Sequence, residues 1–193
     1  MAGQEWTGSL WGLYDDDYVG KVNEAIRKVA IEENTIVIFT SDNGGTPAAG
    51  LDVMVAKGHY SSYIYRGHKA DIYEGGHRVP FIAKRPPRIT KGTSRHVTIC
   101  LTDLMATSAE LTGYNLKDNE VEDSYSLVSL FDINYKVDEF REATVHHSIE
   151  GEGNFAIRQD DWKLIMAEGF AGWSFPKPGD PAEAELTDAS YTI

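Results

Sequence analysis

The spacing of apolar residues changes period several times along the chain. Tyr14, Tyr18, Val22, Ala25, Ile26 and Val29 recur at helical spacing between about Tyr14 and Ile31, with Asp, Lys, Glu and Arg between them. That is the pattern of an amphipathic helix. Asp15, Asp16 and Asp17 read as its first turn, where carboxylates suit the helix dipole, and Glu32-Glu33-Asn34 close it. Thr35 to Thr40 is a continuous β-branched and apolar run, the pattern of a strand buried on both faces, as in a parallel sheet. Residues 41–78 lose periodicity and fill with Gly, Ser, Tyr and His, which predicts one long loop region.

Periodicity then returns. Arg78 to Lys84 reads as a second strand with Pro80 near its start, and Pro86-Pro87 stops it. Arg95 to Cys100 is a candidate short strand. Leu101, Leu104, Met105, Ser108 and Leu111 predict a helix with Thr102 as its cap and Gly113 as its stop. A short helix is expected near Ser126 to Phe131. Ala143–Ile149, Asn154–Gln159 and Trp162–Met166 are three closely spaced strand patterns, separated by Glu150-Gly151-Glu152-Gly153 and Asp160-Asp161. Such short spacing means hairpins and an antiparallel sheet. The tail from Gly169, rich in Pro, Gly and acidic residues, is expected to be loosely ordered. The fold class is α/β, with an α/β portion over residues 1–135 and a small antiparallel subdomain over 136–193.

Composition narrows the function. At 193 residues, 41% hydrophobic and 25% charged, the chain can build a core. A net charge of −12 argues against nucleic acid and against an anionic membrane surface. It leaves room for an anionic small substrate in a locally basic pocket. The single cysteine, Cys100, excludes an intrachain disulfide and a cysteine-based zinc cluster, and reads as a core residue. No stretch is long and apolar enough to span a bilayer. Met1 to Trp6 is not a signal peptide, which leaves the location of a longer parent protein open.

Two segments offer chemistry. Ser41-Asp42-Asn43-Gly44-Gly45 follows the first strand, where ligands gather in open α/β sheets. Asp42 and Asn43 are adjacent oxygen donors suited to a hard cation, although Asp-Asn-Gly is also an ordinary turn sequence. Between Arg66 and Phe81, two histidines, two arginines and Lys69 crowd a glycine-rich loop. That cluster could bind an anion or simply face water.

Together, the Ser-Asp-Asn-Gly turn after a strand and the run Gly67-x-Lys69-x-x-x-Tyr73-Glu74-Gly75-Gly76-x-Arg78-x-Pro80 resemble the type I, formylglycine-dependent sulfatases of the alkaline phosphatase superfamily. The helix from Asp103 to Gly113 and the pair Phe155-Ala156-Ile157-Arg158 and Trp162-Lys163-Leu164-Ile165 agree with that family. The resemblance covers roughly residues 4–190. It implies a partial alkaline-phosphatase-like sheet with helices, followed by the antiparallel subdomain. It also implies that Asp42 and Asn43 supply two ligands of a divalent metal, usually Ca2+. Lys69 would be catalytic, touching the sulfate ester oxygens and offsetting charge at the leaving group. Glu74, Gly75, Gly76 and Arg78 would brace the loop. His146-His147 resemble a pair in some bacterial sulfatases, so His147 is a candidate substrate contact, set against a strand-edge structural role. Trp162 and Lys163 read as packing and surface groups. Phe170, Trp173 and Phe175 are expected in a flexible segment, covering the small sheet or lining a sugar-binding edge. The implied partner is a sulfated small molecule or carbohydrate.

The departures from the family pattern matter as much. Formylglycine forms within Cys/Ser-x-Pro/Ala-x-Arg, and none of the 193 residues supplies that motif. The family's N-terminal Asp pair and a further lysine and histidine have no counterpart here either. The expectation is a C-terminal portion of such a protein, inactive by itself and weak in metal binding, because hard-cation sites rely on ligand number. Two other classes remain open. One is a phosphonate or phosphate monoester hydrolase of the same superfamily. The other is a non-catalytic module that self-associates or pairs with a missing N-terminal half through an exposed sheet edge.

Overall fold

A computed structural model describes residues 7–137, 140–149, 154–167 and 169–174. Helix α1 (Thr7–Lys28) is followed by a 3-10 turn at Glu32–Asn34 and by strand β1 (Val37–Thr40). Because α1 begins seven residues earlier than the periodicity suggests, Asp15, Asp16 and Asp17 lie inside it, not in its first turn. Tyr18, Val22 and Val29 of the predicted stripe are exposed, while Val19, Asn23 and Ile26 are half-buried. Lys84 ties the helix to the sheet, donating to Asn23 Oδ1 at 3.1 Å and to Glu32 Oε1 at 2.6 Å.

Strand β2 (Phe81–Lys84) pairs with β1 in antiparallel register, Val37 opposite Lys84 and Thr40 opposite Phe81. Among the described residues, the neighbour that the apolar run of β1 finds is thus antiparallel, and all four of its residues are half-buried instead of fully enclosed. The register has a functional consequence. It sets the end of β1 beside the start of β2, so the segments 41–45 and 74–80 become neighbours. The loop region between the strands is not featureless. It holds a 3-10 turn at Pro47–Ala49 and two short helices, α2 (Leu51–Ala56) and α3 (Glu74–His77).

Residues 95–100 form no strand. Helix α4 (Asp103–Thr112) ends on Gly113 at φ +74°, as its sequence requires. Thr102 makes no capping hydrogen bond. Ser124 Oγ takes that part, accepting from Ala106 N–H at 3.0 Å, while the buried carboxylate of Asp103 accepts from Cys100 N–H at 2.7 Å and Tyr125 N–H at 2.9 Å. Arg141 closes the charge at 2.5 Å and stacks on the Tyr125 ring. A 3-10 turn at Leu127–Phe131 packs on α4, its Ser126 hydroxyl accepting from Val128 N–H.

The second sheet orders β3 (Thr144–His147), β4 (Phe155–Gln159) and β5 (Trp162–Met166), all antiparallel as the spacing predicts. The turn 150–153 lies outside the described residues, as does the tail from 175, Phe175 included. Residues 169–174 correct the expectation of a loose tail. Ala171 and Gly172 are buried, and Phe170 packs its ring on Tyr73 at 5.1 Å. The reason is hydrophobic: Ile72, Ala156 and Ala171 form a buried cluster with Tyr73, Ile165 and Ala167 against it. This core joins loop, sheet and tail segment across the boundary drawn at residue 135. Among the described residues, no helix is long and apolar enough to cross a membrane.

Candidate functional site

The site grows from the antiparallel register of β1 and β2. Past Thr40, the chain turns sharply. Ser41 Oγ donates to Asn43 O at 2.9 Å, and Asn43 Nδ2 donates to Gly44 O at 2.9 Å. Gly44 N–H then bonds Gly76 O at 3.0 Å, and Lys69 N–H bonds Gly45 O at 2.8 Å. Two backbone bonds thus lock the Asp-Asn-Gly turn to the Lys69–Gly76 loop. The approach is so close that a Cβ on Gly44 would lie 1.7 Å from Gly75 O, which explains why glycine is needed there.

Asp42 is exposed at the end of β1, and Asn43 is half-buried beside it. The amide nitrogen of Asn43 is committed to the turn, which leaves Oδ1 for a cation. One carboxylate and one amide oxygen form a hard donor pair, chemically fit for Ca2+ or Mg2+. Among the described residues, no three His, Cys, Asp or Glu side chains gather to hold a metal. Asp42 and Asn43 by themselves would not complete a coordination shell.

Lys69 stands at a corner of the turn His68–Asp71, closed by Asp71 N–H to His68 O at 3.0 Å. The structure thus brings Asp42, Asn43 and Lys69 onto two interlocked segments. It does not bring His147 with them. Alternation along β3 puts His147 on the outer face, exposed, with its ring against Phe155 at 5.8 Å. Its neighbours turn inward: His146 stacks on His77 at 4.4 Å, and Ser148 Oγ donates to Ala70 O at 3.4 Å.

Sequence reasoning gave Glu74 and Arg78 to bracing this loop but missed Lys163 and Arg158, which hold it from the second sheet. Glu74 takes three cations: Lys163 at 3.1 Å, Arg158 at 3.1 Å and Arg78 at 3.6 Å. Lys163 is no surface group, since its side chain is 2% exposed and also donates to Ile72 O at 2.6 Å. Burial alone would raise the Glu74 pKa, but Lys163, Arg158 and Arg78 outweigh it and hold the carboxyl below its ordinary value. Burial lowers Lys163 despite the pull of Glu74. His77 and His146 are pushed down to about 4 and about 3, first by burial and then by Lys163. A signal for the hub was present. In the β4–β5 hairpin Arg158 faces Lys163, and two like charges directly opposite demand a counterion.

The sulfatase family profile matches residues 13–114, more than half of the chain, with Asp42, Asn43, Lys69 and Glu74 inside the match. The chain belongs to the sulfatase family. It is 29% identical over 179 residues to an N-acetylgalactosamine-6-O-sulfatase of Bacteroides thetaiotaomicron, covering 89% of this chain and 34% of that protein. It is 35% identical over 126 residues to the N-acetylgalactosamine-6-sulfatase of Rattus norvegicus, covering 62% and 23%. Among solved structures, a Pseudoalteromonas sulfatase superposes with a TM-score of 0.65 at 31% identity, over 78% of this chain and 28% of that one. Ps i-CgsB in complex with k-i-k-neocarrahexaose superposes with a TM-score of 0.65 at 28% identity, over 79% and 32%. These neighbours place the sulfatase chain in the alkaline-phosphatase-like α/β class. It spans about a third or less of the length of these relatives.

Proposed function

We propose that this sulfatase chain supplies the metal-bearing and ester-binding side of a sulfuric ester hydrolase. Asp42 Oδ and Asn43 Oδ1 would hold a divalent cation, Ca2+ in this reading. The bound cation would supply positive charge against a sulfate ester oxygen. Lys69 is the second positive group. A compact ammonium near the leaving oxygen offsets the charge that develops as the ester bond breaks. Glu74 draws Lys163, Arg158 and Arg78 onto itself, and in this reading Lys69 is the cation directed to substrate. The formylglycine motif does not fit any stretch of these 193 residues, so no step of covalent attack is assigned to them. The sulfated-sugar chemistry in the relatives' names supports a sulfated carbohydrate as the substrate class.

The observation that carries this reading is the interlock of Gly44 with Gly76 and of Lys69 with Gly45, which keeps donor pair and lysine on neighbouring segments. NMR titration of the chain with CaCl2 and with 4-nitrophenyl sulfate tests it. The expected Ca2+ affinity is weak, roughly 0.1–1 mM or poorer, and lost in Asp42→Ala. Lys69→Ala should lose the ester and keep the cation. Purified chain alone should release no 4-nitrophenol. Ester binding unchanged in Lys69→Ala, or a clear preference for 4-nitrophenyl phosphate over the sulfate, would overturn the assignment.

A further inference from the structure

Every polar contact of residues 169–174 described here lands on the turn that carries Lys69 or on its immediate support. Phe170 O accepts from Ile72 N–H at 3.1 Å, and Ala171 O accepts from Ser148 Oγ. Ser174 N–H donates to Asp71 Oδ1 at 2.9 Å and Ser174 Oγ to Asp71 Oδ2 at 2.5 Å. The same Asp71 oxygen accepts from His68 N–H at 2.8 Å, and Asp71 is fully buried. The His68 ring completes the link, with Nε2 2.9 Å from Ser174 Oγ and Nδ1 2.9 Å from Lys69 O.

This constellation is not a nucleophilic triad. In a triad the carboxylate holds the far side of the imidazole, but here Asp71 accepts directly from the Ser174 hydroxyl, and the far ring nitrogen of His68 faces Lys69 O. What the arrangement does is mechanical. Ala70, the second corner of the His68–Asp71 turn, sits at φ +79°, a value that type II turns normally give to glycine. A Cβ-bearing residue stays there only where its surroundings over-determine the conformation. Here they do: Gly172 presses on the turn so closely that a Cβ on it would lie 2.5 Å from Ala70 O and 2.5 Å from Asp71 Oδ1. The peptide on the C-terminal side of Lys69 is thus held by the tail segment, and the peptide on its N-terminal side by Asp71 and Gly45.

We propose that Ser174, through His68 and Asp71, is a positioning residue for Lys69. The inference rests on the reading of Lys69 as the ester-binding lysine. It makes residues 169–174 a strap that keeps a strained turn, and the ammonium on it, in place.

The test uses the full 193-residue chain, 15N-labelled, with two readouts. One is hydrogen exchange of the Lys69 amide, the other the dissociation constant for 4-nitrophenyl sulfate. Ser174→Ala should speed Lys69 exchange about tenfold and weaken ester binding by about threefold to tenfold, while exchange in α4 stays unchanged. Ser174→Thr, which keeps the hydroxyl, should restore both. His68→Gln removes the ring but leaves Asp71 its Ser174 donors, so it tests the same link if Ser174→Ala does not fold, and should speed Lys69 exchange to a similar degree. Unchanged Lys69 exchange in the folded variants, or equal acceleration in α4, overturns the positioning role. Lys69→Ala separates the two claims: if it binds the ester like wild type, the reading of Lys69 fails, whatever the exchange rates show.

Discussion

At the scale of the residue, Glu74 decides the most. Lys163 and Arg158 reach it from strands, 89 residues away along the chain in the case of Lys163. Burial works against the charge on both Glu74 and Lys163, so the larger part of the pair's value lies in what its loss exposes. Glu74→Gln should destabilise the chain by about 3–5 kcal/mol, because two buried cations lose the carboxylate that pairs with both among the described residues. Lys163→Met should do much less harm, since Glu74 keeps two arginines. Urea denaturation of the two variants checks the order, and a Glu74→Gln loss under about 0.5 kcal/mol would remove the hub from the argument. The contrast with Asp42, Asn43 and Lys69 explains what could be read early. Those three lie in local motifs whose order in the chain carries the resemblance. The partners of Glu74 are fixed by tertiary contact. Lys163 also sits between Trp162 and Leu164, and nothing in that alternation says the lysine side faces inward.

At the scale of the element, short strands escape the patterns that identify long ones. The apolar run of β1 looked enclosed on both faces, yet its four residues have one antiparallel neighbour among the described residues. On β3, only the phase of the strand separates His146, which faces the α/β portion, from exposed His147, and the sequence leaves that phase open. The phase has a measurable consequence at the contact of His146 with His77. Lys163, Glu74, Arg158, Asp71 and His147 all act on one or both rings, and burial with Lys163 prevails. Both folded values, about 4 and about 3, lie below the ordinary histidine value of 6.5. The unfolded chain therefore binds more protons between those limits. Stability should be fully present above pH 6.5 and fall as pH drops through 4 toward 3. His146→Phe keeps a ring on His77 and removes one titrating group, so it should flatten the slope by up to about 1.4 kcal/mol per pH unit. Glu74 and Glu32 add acid sensitivity of the same sign, but below the ordinary carboxylate value, which leaves the upper part of the window to the histidines. Thermal melts from pH 7.5 to 4 would show it. Identical slopes for wild type and variant would refute the assignment.

At the scale of the molecule, the outer face of the second sheet is apolar and uncovered among the described residues. Val145, Phe155, Trp162, Leu164 and Met166 are all exposed, Trp162 at 82%. The register gathers them into one patch, with Phe155 opposite Met166, Ile157 opposite Leu164, and Val145 opposite Ile157 on the other side. Lys163, the one cation of β5, points to the inner face and cannot guard this side or its edge, where β5 pairs only with β4. Contiguous apolar patches larger than a few hundred Å2 are uncommon on monomers and favour association. The net charge of −12 opposes it, since two copies repel at low ionic strength. These two forces respond differently to salt. Screening shortens the repulsion from tens of ångströms to a few and leaves apolar contact intact. The chain should therefore sediment as a monomer in dilute buffer and form larger species in 0.5 M NaCl, a range over which the Debye length falls to roughly 4 Å. Leu164→Glu, at the centre of the patch, should keep it monomeric at both salts. A wild-type chain that stays monomeric at high concentration in 0.5 M NaCl would show that this face does not drive association, and association that survives Leu164→Glu would place the contact elsewhere.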